Sequence, residues 1–86
     1  MHFLYVMQSK KDYSFYIGET NNLQRRFFEH NEGKSLSTKN KIPWEIIYVE
    51  IYRSKKDALE RERKLKKHKT GWLRLKERLK CSIFFE

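Results

Sequence analysis

The chain opens on an apolar run, Phe3-Leu4-Tyr5-Val6-Met7, bounded by the polar stretch Gln8 to Ser14 and followed by a second short run from Phe15 to Gly18. Short runs rich in β-branched and aromatic residues, separated by turn-forming ones, predict two strands of a hairpin with a long, basic connection. Asn21 and Asn22 stand in front of Leu23, and Leu23, Phe27 and Phe28 recur at helical spacing until Asn31 and Gly33 interrupt them. Asn is a favoured N-cap and Gly a favoured stop, so a helix over about 22–30 is predicted. The stretch Lys34 to Lys41 is polar, aperiodic and followed by Pro43, which predicts a loop. Trp44 to Tyr52 is too apolar on both sides for a half-exposed strand and is expected to be a third, well-covered strand that anchors the sheet. Ser54 with Asp57 three residues on marks the start of a helix running to about Lys67. Thr70-Gly71 opens a final helix with Trp72, Leu75, Lys76 and Leu79 along one side. The expected fold is α/β (α+β), a small three-stranded, mostly antiparallel sheet flanked by helices in the order ββαβαα.

Length adds that one domain accounts for the chain. Residues 1–80 are expected to form it and 81–86 a short tail, whose Ile83, Phe84 and Phe85 lie back on the domain or make a dimer contact; a monomer or weak dimer is expected. A lone Cys81 has no internal partner, which suggests a reducing, cytoplasmic setting. The leading apolar run is too short for a secretory signal, and no stretch is long enough to span a bilayer, so no membrane partner is expected.

Charge changes the picture more. The formal charge is +9, from 20 Lys and Arg against 11 Asp and Glu, and it is concentrated in residues 53–80, with 13 basic and 4 acidic side chains. A basic plate of this kind either binds a phosphate polymer or is a solvated, solubilising face, and charge alone does not separate the two.

Particular residues do. Phe3-Leu4-Tyr5, then Tyr16-Ile17-Gly18, then Arg26 ten residues after Tyr16 and His30 one turn further, together resemble the signature of the GIY-YIG nuclease superfamily. Asp57-Ala58-Leu59-Glu60-Arg61-Glu62 followed by Leu65-Lys66 looks like that family's second-helix motif, in which a Glu four residues after a small residue holds a metal ion. Pro43-Trp44-Glu45 through Tyr48-Val49-Glu50 further resembles the small stand-alone bacterial members, relatives of the N-terminal nuclease module of the bacterial excision-repair excinuclease. The similarity runs from residue 3 to about residue 67. It implies a metal-dependent endonuclease that hydrolyses DNA phosphodiesters, leaving a 5′-phosphate and a 3′-hydroxyl, in repair or processing of branched DNA. The site it implies is Tyr5, Tyr16, Arg26 and His30 for catalysis and Glu62 for one Mg²⁺ or Mn²⁺ ion.

Chemistry supports some of these assignments independently. Phosphodiester hydrolysis needs an activated water, a Lewis acid and positive charge where the transition state gathers negative charge. Arg26 suits the last role, because its guanidinium stays protonated and grips two oxygens in a plane; without its spacing to Tyr16 it reads as an ordinary exposed Arg like Arg25. Glu62 lies between Leu59 and Leu65 on the apolar stripe of its helix, where a carboxylate needs a partner: either a metal ion or Lys66 at i+4. Aromatic strand residues such as Tyr5 and Tyr16 are ordinarily packing. The resemblance puts both phenols in one site, with Tyr5 as the base, and a Tyr acting as base at neutral pH needs its phenolate stabilised. His30 shares a helix face with Arg26 and relays a proton, binds phosphate, or packs. Gly18 permits close backbone approach.

Lys39, Arg61, Arg63, Lys66 and Lys67 are expected to contact nucleic acid, and Ser35, Ser37 and Thr38 are further loop candidates. Two positions depart from the family pattern: Glu19 stands where excision-repair relatives often carry a Lys, and no Asn follows Glu62. The alternatives are a non-catalytic basic nucleic-acid-binding module with a vestigial nuclease site, and an RNA-associated basic protein. No dedicated reading head is present, so target choice is expected to be shape-driven or supplied by a partner protein, and the chain to be nucleoid-associated.

Overall fold

A computed structural model of the protein describes residues 1–85. Its elements are strand β1 (His2–Ser9), strand β2 (Phe15–Thr20), helix α1 (Leu23–Asn31), strand β3 (Trp44–Tyr52), helix α2 (Lys55–Lys67) and helix α3 (Lys69–Arg78), with a 3-10 turn at Lys39–Lys41. This is the expected ββαβαα order, and both strand pairings are antiparallel.

The helix starts follow from the capping residues. Asn22 accepts a hydrogen bond from the Arg25 N–H, and Ser54 from that of Asp57, so each helix begins with one of its orphan donors satisfied. Gly33, at φ +76, carries the chain out of α1 through the left-handed region that a side chain disfavours. Asn31 then pins the end of α1 to the start of β3: its Oδ1 accepts from the Trp44 N–H at 2.7 Å and its Nδ2 donates to the Trp44 carbonyl at 3.1 Å.

The sheet order β2-β1-β3 corrects one expectation. The central, covered strand is β1, buried from Leu4 to Ser9, whereas β3 lies at an edge, is half-buried for most of its length and leaves Ile51 exposed. The apolar pattern of β3 reflects cover on both faces rather than a central place. On one face Leu4 and Val6 pack with Leu65, Leu75, Leu79 and Ile83, under α2 and α3. On the other, Tyr5, Met7 and Trp44 pack with Leu23 and Phe27 of α1. The chain after α3 does lie back on the domain: Ile83 is buried, and Gln8 both donates to the Phe84 carbonyl (2.9 Å) and accepts from its N–H (3.0 Å), while Phe85 is exposed. Glu86 of the expected tail lies outside the described residues.

A carboxylate locks α2 to β3. Glu50 accepts from the hydroxyls of Tyr48 and Tyr52, each at 2.6 Å, and from Arg61 through Nε (3.0 and 3.2 Å) and Nη2 (3.1 Å). Burial works against its charge, but these donors outweigh burial and hold Glu50 below the usual carboxylate range. A depressed carboxylate stabilises the fold above the unfolded value of about 4.3 and loses that contribution as pH falls through its folded value. Glu50→Gln is therefore expected to cost about 2 kcal/mol at neutral pH. In urea titrations its deficit against the unmodified protein should narrow below about pH 4; a deficit independent of pH would count against an ionised Glu50 as the lock.

Candidate active site

Tyr5 projects from the middle of β1, where its two strand partners are Gly18 and Val49. Because Gly18 has no side chain, the Tyr5 ring lies across it: a Cβ there would meet the phenol oxygen at 2.5 Å and Cζ at 2.6 Å, and Tyr16 Cε2 at 3.0 Å. The glycine of the second motif is thus a space requirement. It lets the phenol of a buried central strand reach towards the β2 edge.

There the phenol meets α1. The Tyr5 oxygen is 2.8 Å from Nε2 of His30, and Nδ1 of His30 is 2.8 Å from Oγ1 of Thr38, with both His30 and Thr38 fully buried. The Thr38 hydroxyl also lies 3.5 Å from the Ser35 carbonyl, to which it can donate; in that arrangement its oxygen accepts from Nδ1–H and Nε2 accepts from the Tyr5 hydroxyl. Trp44 holds Thr38 in place, donating from Nε1 to the Thr38 carbonyl at 3.0 Å. Thr38 was foreseen only as a surface loop contact. Nothing in an aperiodic loop sequence marks the one hydroxyl that turns inwards.

The electrostatics follow from burial. Desolvation, helped by the neighbouring Tyr16 and opposed by Arg26, raises the Tyr5 phenol well above its usual value. Desolvation and the Arg26 charge push His30 down to about 4, so at neutral pH the imidazole is uncharged. Arg26 is half-buried, unlike exposed Arg25; burial opposes its charge, but Glu29, whose Oε1 lies 3.3 Å from its Nη1, and the nearby phenols keep it protonated.

Tyr16 stands beside the same group, its ring centre 6.2 Å from that of Tyr5 and 4.9 Å from that of His30. Glu62 reaches it from α2. Its buried neighbours one turn away are Ala58 and Leu65, whereas Leu59 is turned outwards. The Glu62 carboxylate is partly buried, pairs with Lys66 at 3.1 Å, and lies near enough to act electrostatically on Tyr5; Lys66 in turn sits 5.8 Å over the Tyr16 ring. Of the two partners foreseen for Glu62, Lys66 is the one it meets. Among the described residues no three His, Cys, Asp or Glu side chains converge on a metal position. One half-exposed carboxylate fits magnesium or manganese held largely by water and substrate phosphate, since such an ion takes only one or two carboxylates from the protein.

A family model for the GIY-YIG catalytic domain matches residues 1–74. The chain belongs to the GIY-YIG family. Among its relatives, the UPF0213 protein YazA of Bacillus subtilis is 42% identical over 67 residues, covering 77% of this chain and 67% of that one. The UPF0213 protein of Bacillus pumilus is 37% identical over 79 residues, or 91% and 76% of the two chains. A solution structure of the UPF0213 protein from Bacillus halodurans is 29% identical, covers 84% of this chain and 80% of its own, and superimposes with a TM-score of 0.50. The small stand-alone bacterial GIY-YIG type is the group to which these relatives point.

In this GIY-YIG domain the residues foreseen for phosphate contact divide. Arg61 is engaged by Glu50 and ties α2 to the sheet instead of reaching outwards, and Arg63 pairs with Glu60 at 2.8 Å. Lys39 and Lys67 are exposed and form no ion pair among the described residues. Glu19, at the atypical position, accepts a 3.0 Å contact from His2. No helix of the described residues is long and apolar enough to cross a membrane.

Two expectations follow. Gly18→Ala should displace the Tyr5 phenol and cost about 1–3 kcal/mol by overpacking, measured by chemical denaturation; a variant as stable as the parent, with an unshifted Tyr5–His30 contact, would refute the space requirement. His30, depressed from about 6.5 to about 4 on folding, remains neutral while the unfolded chain binds a proton. Its contribution to stability is accordingly lost as pH falls from about 6.5 towards 4, and His30→Gln should show a shallower decline across that window.

Proposed function

We propose that this GIY-YIG domain is a metal-dependent endonuclease that hydrolyses phosphodiester bonds in DNA. The observation that carries the reading is the buried Tyr5–His30–Thr38 chain with a protonated Arg26 beside it. A structural Tyr needs one hydrogen-bond partner, not an uncharged imidazole fixed by a second buried hydroxyl next to a guanidinium.

In the mechanism we favour, Arg26 binds the non-bridging oxygens of the scissile phosphate and stabilises the charge that builds there. Tyr5 Oη accepts a proton from the attacking water as its own hydroxyl proton passes to Nε2 of His30, so no free phenolate has to form against its raised pKa. Thr38 holds the imidazole in the accepting tautomer. As water bonds to phosphorus the bond to O3′ breaks, the leaving oxygen takes a proton from solvent, and the products are a 5′-phosphate and a 3′-hydroxyl. Tyr16, half-exposed beside His30, orients the water or the phosphate. A divalent ion bound at Glu62 supplies Lewis-acid charge to the phosphate when present. Basic residues free of ion pairs hold the DNA backbone, and repair or processing of branched DNA is the setting we favour.

The test is nicking of supercoiled plasmid and of a branched oligonucleotide with Mg²⁺, Mn²⁺ or EDTA, beside Arg26→Ala and Glu62→Gln. Metal-dependent cleavage should fall about 10²- to 10³-fold in Arg26→Ala, the usual loss for one transition-state donor. Glu62→Gln should bind DNA with nearly unchanged salt dependence and fail to cut. Binding without cleavage on every substrate would instead favour a non-catalytic nucleic-acid-binding module.

A further inference from the structure

Beside the candidate site, between β2 and the junction of α2 with α3, lies a cleft of about 300 Å³ lined by Phe15, Tyr16, Ile17, Leu65, Lys66 and Trp72. Three of its six walls are aromatic, and none of the three is fully buried. Phe15 and Trp72 meet edge to face with ring centres 5.2 Å apart. Lys76 extends over both, its Nζ 5.2 Å from the Phe15 ring centre and 5.9 Å from that of Trp72, and it forms no ion pair among the described residues.

We propose that this cleft is a nucleobase subsite, which seats one unpaired base of the DNA strand whose neighbouring phosphate lies at Tyr5 and Arg26. The proposal rests on the nuclease reading and adds the form of its substrate: the strand is unpaired where it passes β2.

Three features argue for this occupant. Half-exposed aromatic rings beneath the unpaired Lys76 ammonium match a flat ring joined to negative charge, and a neutral apolar ligand would leave that ammonium unanswered. The cleft is continuous with the site, since Tyr16 borders both and Lys66, on its wall, is one helical turn from Glu62 and paired with it. The wall strand β2 is a sheet edge, so its outward backbone groups have no strand partner and can meet the hydrogen-bonding edge of a base. A base inside a duplex presents neither its face nor that edge, and the cleft, at the small end of ligand sites, has room for one planar base. Packing alone accounts for Leu65 and for the inner side of Trp72. It does not account for two aromatic rings left half-open beneath an unpaired lysine.

Trp72 provides the readout, because the other tryptophan, Trp44, is buried in the core. In EDTA, where metal-dependent cleavage cannot contribute, a single-stranded oligothymidylate of about eight nucleotides should quench tryptophan fluorescence on binding. Trp72→Leu, read by anisotropy of an end-labelled strand because it lacks the reporting ring, should bind that strand about tenfold more weakly, and an otherwise identical strand with one abasic position in register should lose about as much against the unmodified protein. The abasic arm leaves the protein unaltered, so a poorly folded Trp72→Leu does not decide the outcome. A blunt duplex of equal charge should bind without quenching. Equal quenching by the duplex, or unchanged affinity for both the abasic strand and Trp72→Leu, would overturn the subsite. Protein that nicks DNA yet shows no quenching loses the subsite and keeps the nuclease reading; protein that is quenched by single strands but never cuts keeps the subsite and loses the nuclease reading.

Discussion

The structure depends on one strand being buried on both of its faces. β1 runs through the centre of a three-stranded sheet with helices α2 and α3 over one face and α1 over the other, and everything from Leu4 to Ser9 is out of solvent. In so short a chain the two core clusters share this one strand, so its residues answer to two packing problems at once. Leu4 and Val6 answer one as ordinary aliphatic side chains. Tyr5 answers the other with a hydroxyl that cannot be left unpaired. The helix that covers it must therefore bring a polar partner into the core, and α1 brings His30; His30 in turn needs a partner for its second nitrogen, and the loop brings Thr38. The outcome is a buried chain of three hydrogen-bonded side chains beneath α1.

Much of this was legible in the sequence, for physical reasons that can be named. Asn22 and Ser54 mark helix starts because a side-chain acceptor is needed where backbone donors are orphaned, and both caps are made. The bounds of β3 coincide with its apolar run. The spacing of Arg26 and His30 along α1 was legible too, since residues four apart share a helix face. What could not be read was lateral order. A strand covered by helices on both faces has the same composition whether it lies at the centre or the edge of a sheet, so the apolar run of β3 marked it as covered and did not show that it lies at an edge. On α2 the same ambiguity of a single turn made Leu59 and Leu65 look like the flanks of Glu62, whereas Ala58 and Leu65 are the buried pair. Thr38 illustrates a harder limit, because its role depends on contacts with His30 and Trp44 that no local pattern encodes.

Burial also separates the two tyrosines that the sequence left as a pair. Tyr5 is fully enclosed, its hydroxyl committed to His30, and its phenolate is disfavoured by desolvation. Tyr16 is half-exposed beside it. The difference in exposure follows from strand position, β1 being central and β2 an edge.

The distribution of charge can be treated in the same way. The basic plate of residues 53–80 looked uniform, yet on α2 four of its cations already have partners: Arg61 with Glu50, Arg63 and Lys64 with Glu60, and Lys66 with Glu62. The other nine, Arg53, Lys55, Lys56, Lys67, Lys69, Arg74, Lys76, Arg78 and Lys80, enter no ion pair among the described residues. A phosphate competing for a paired Arg must displace its carboxylate, whereas one approaching a free cation releases only counterions. The unpaired cations therefore lie at both ends of α2 and along α3, while the middle of α2 is internally neutralised. Helix α2 also shapes the site from within, because its acidic residues neutralise their own neighbours and leave Glu62 as the carboxylate set beside the phenols. Net charge counts the two populations together; only the pairing shows which of them is free to meet a nucleic acid.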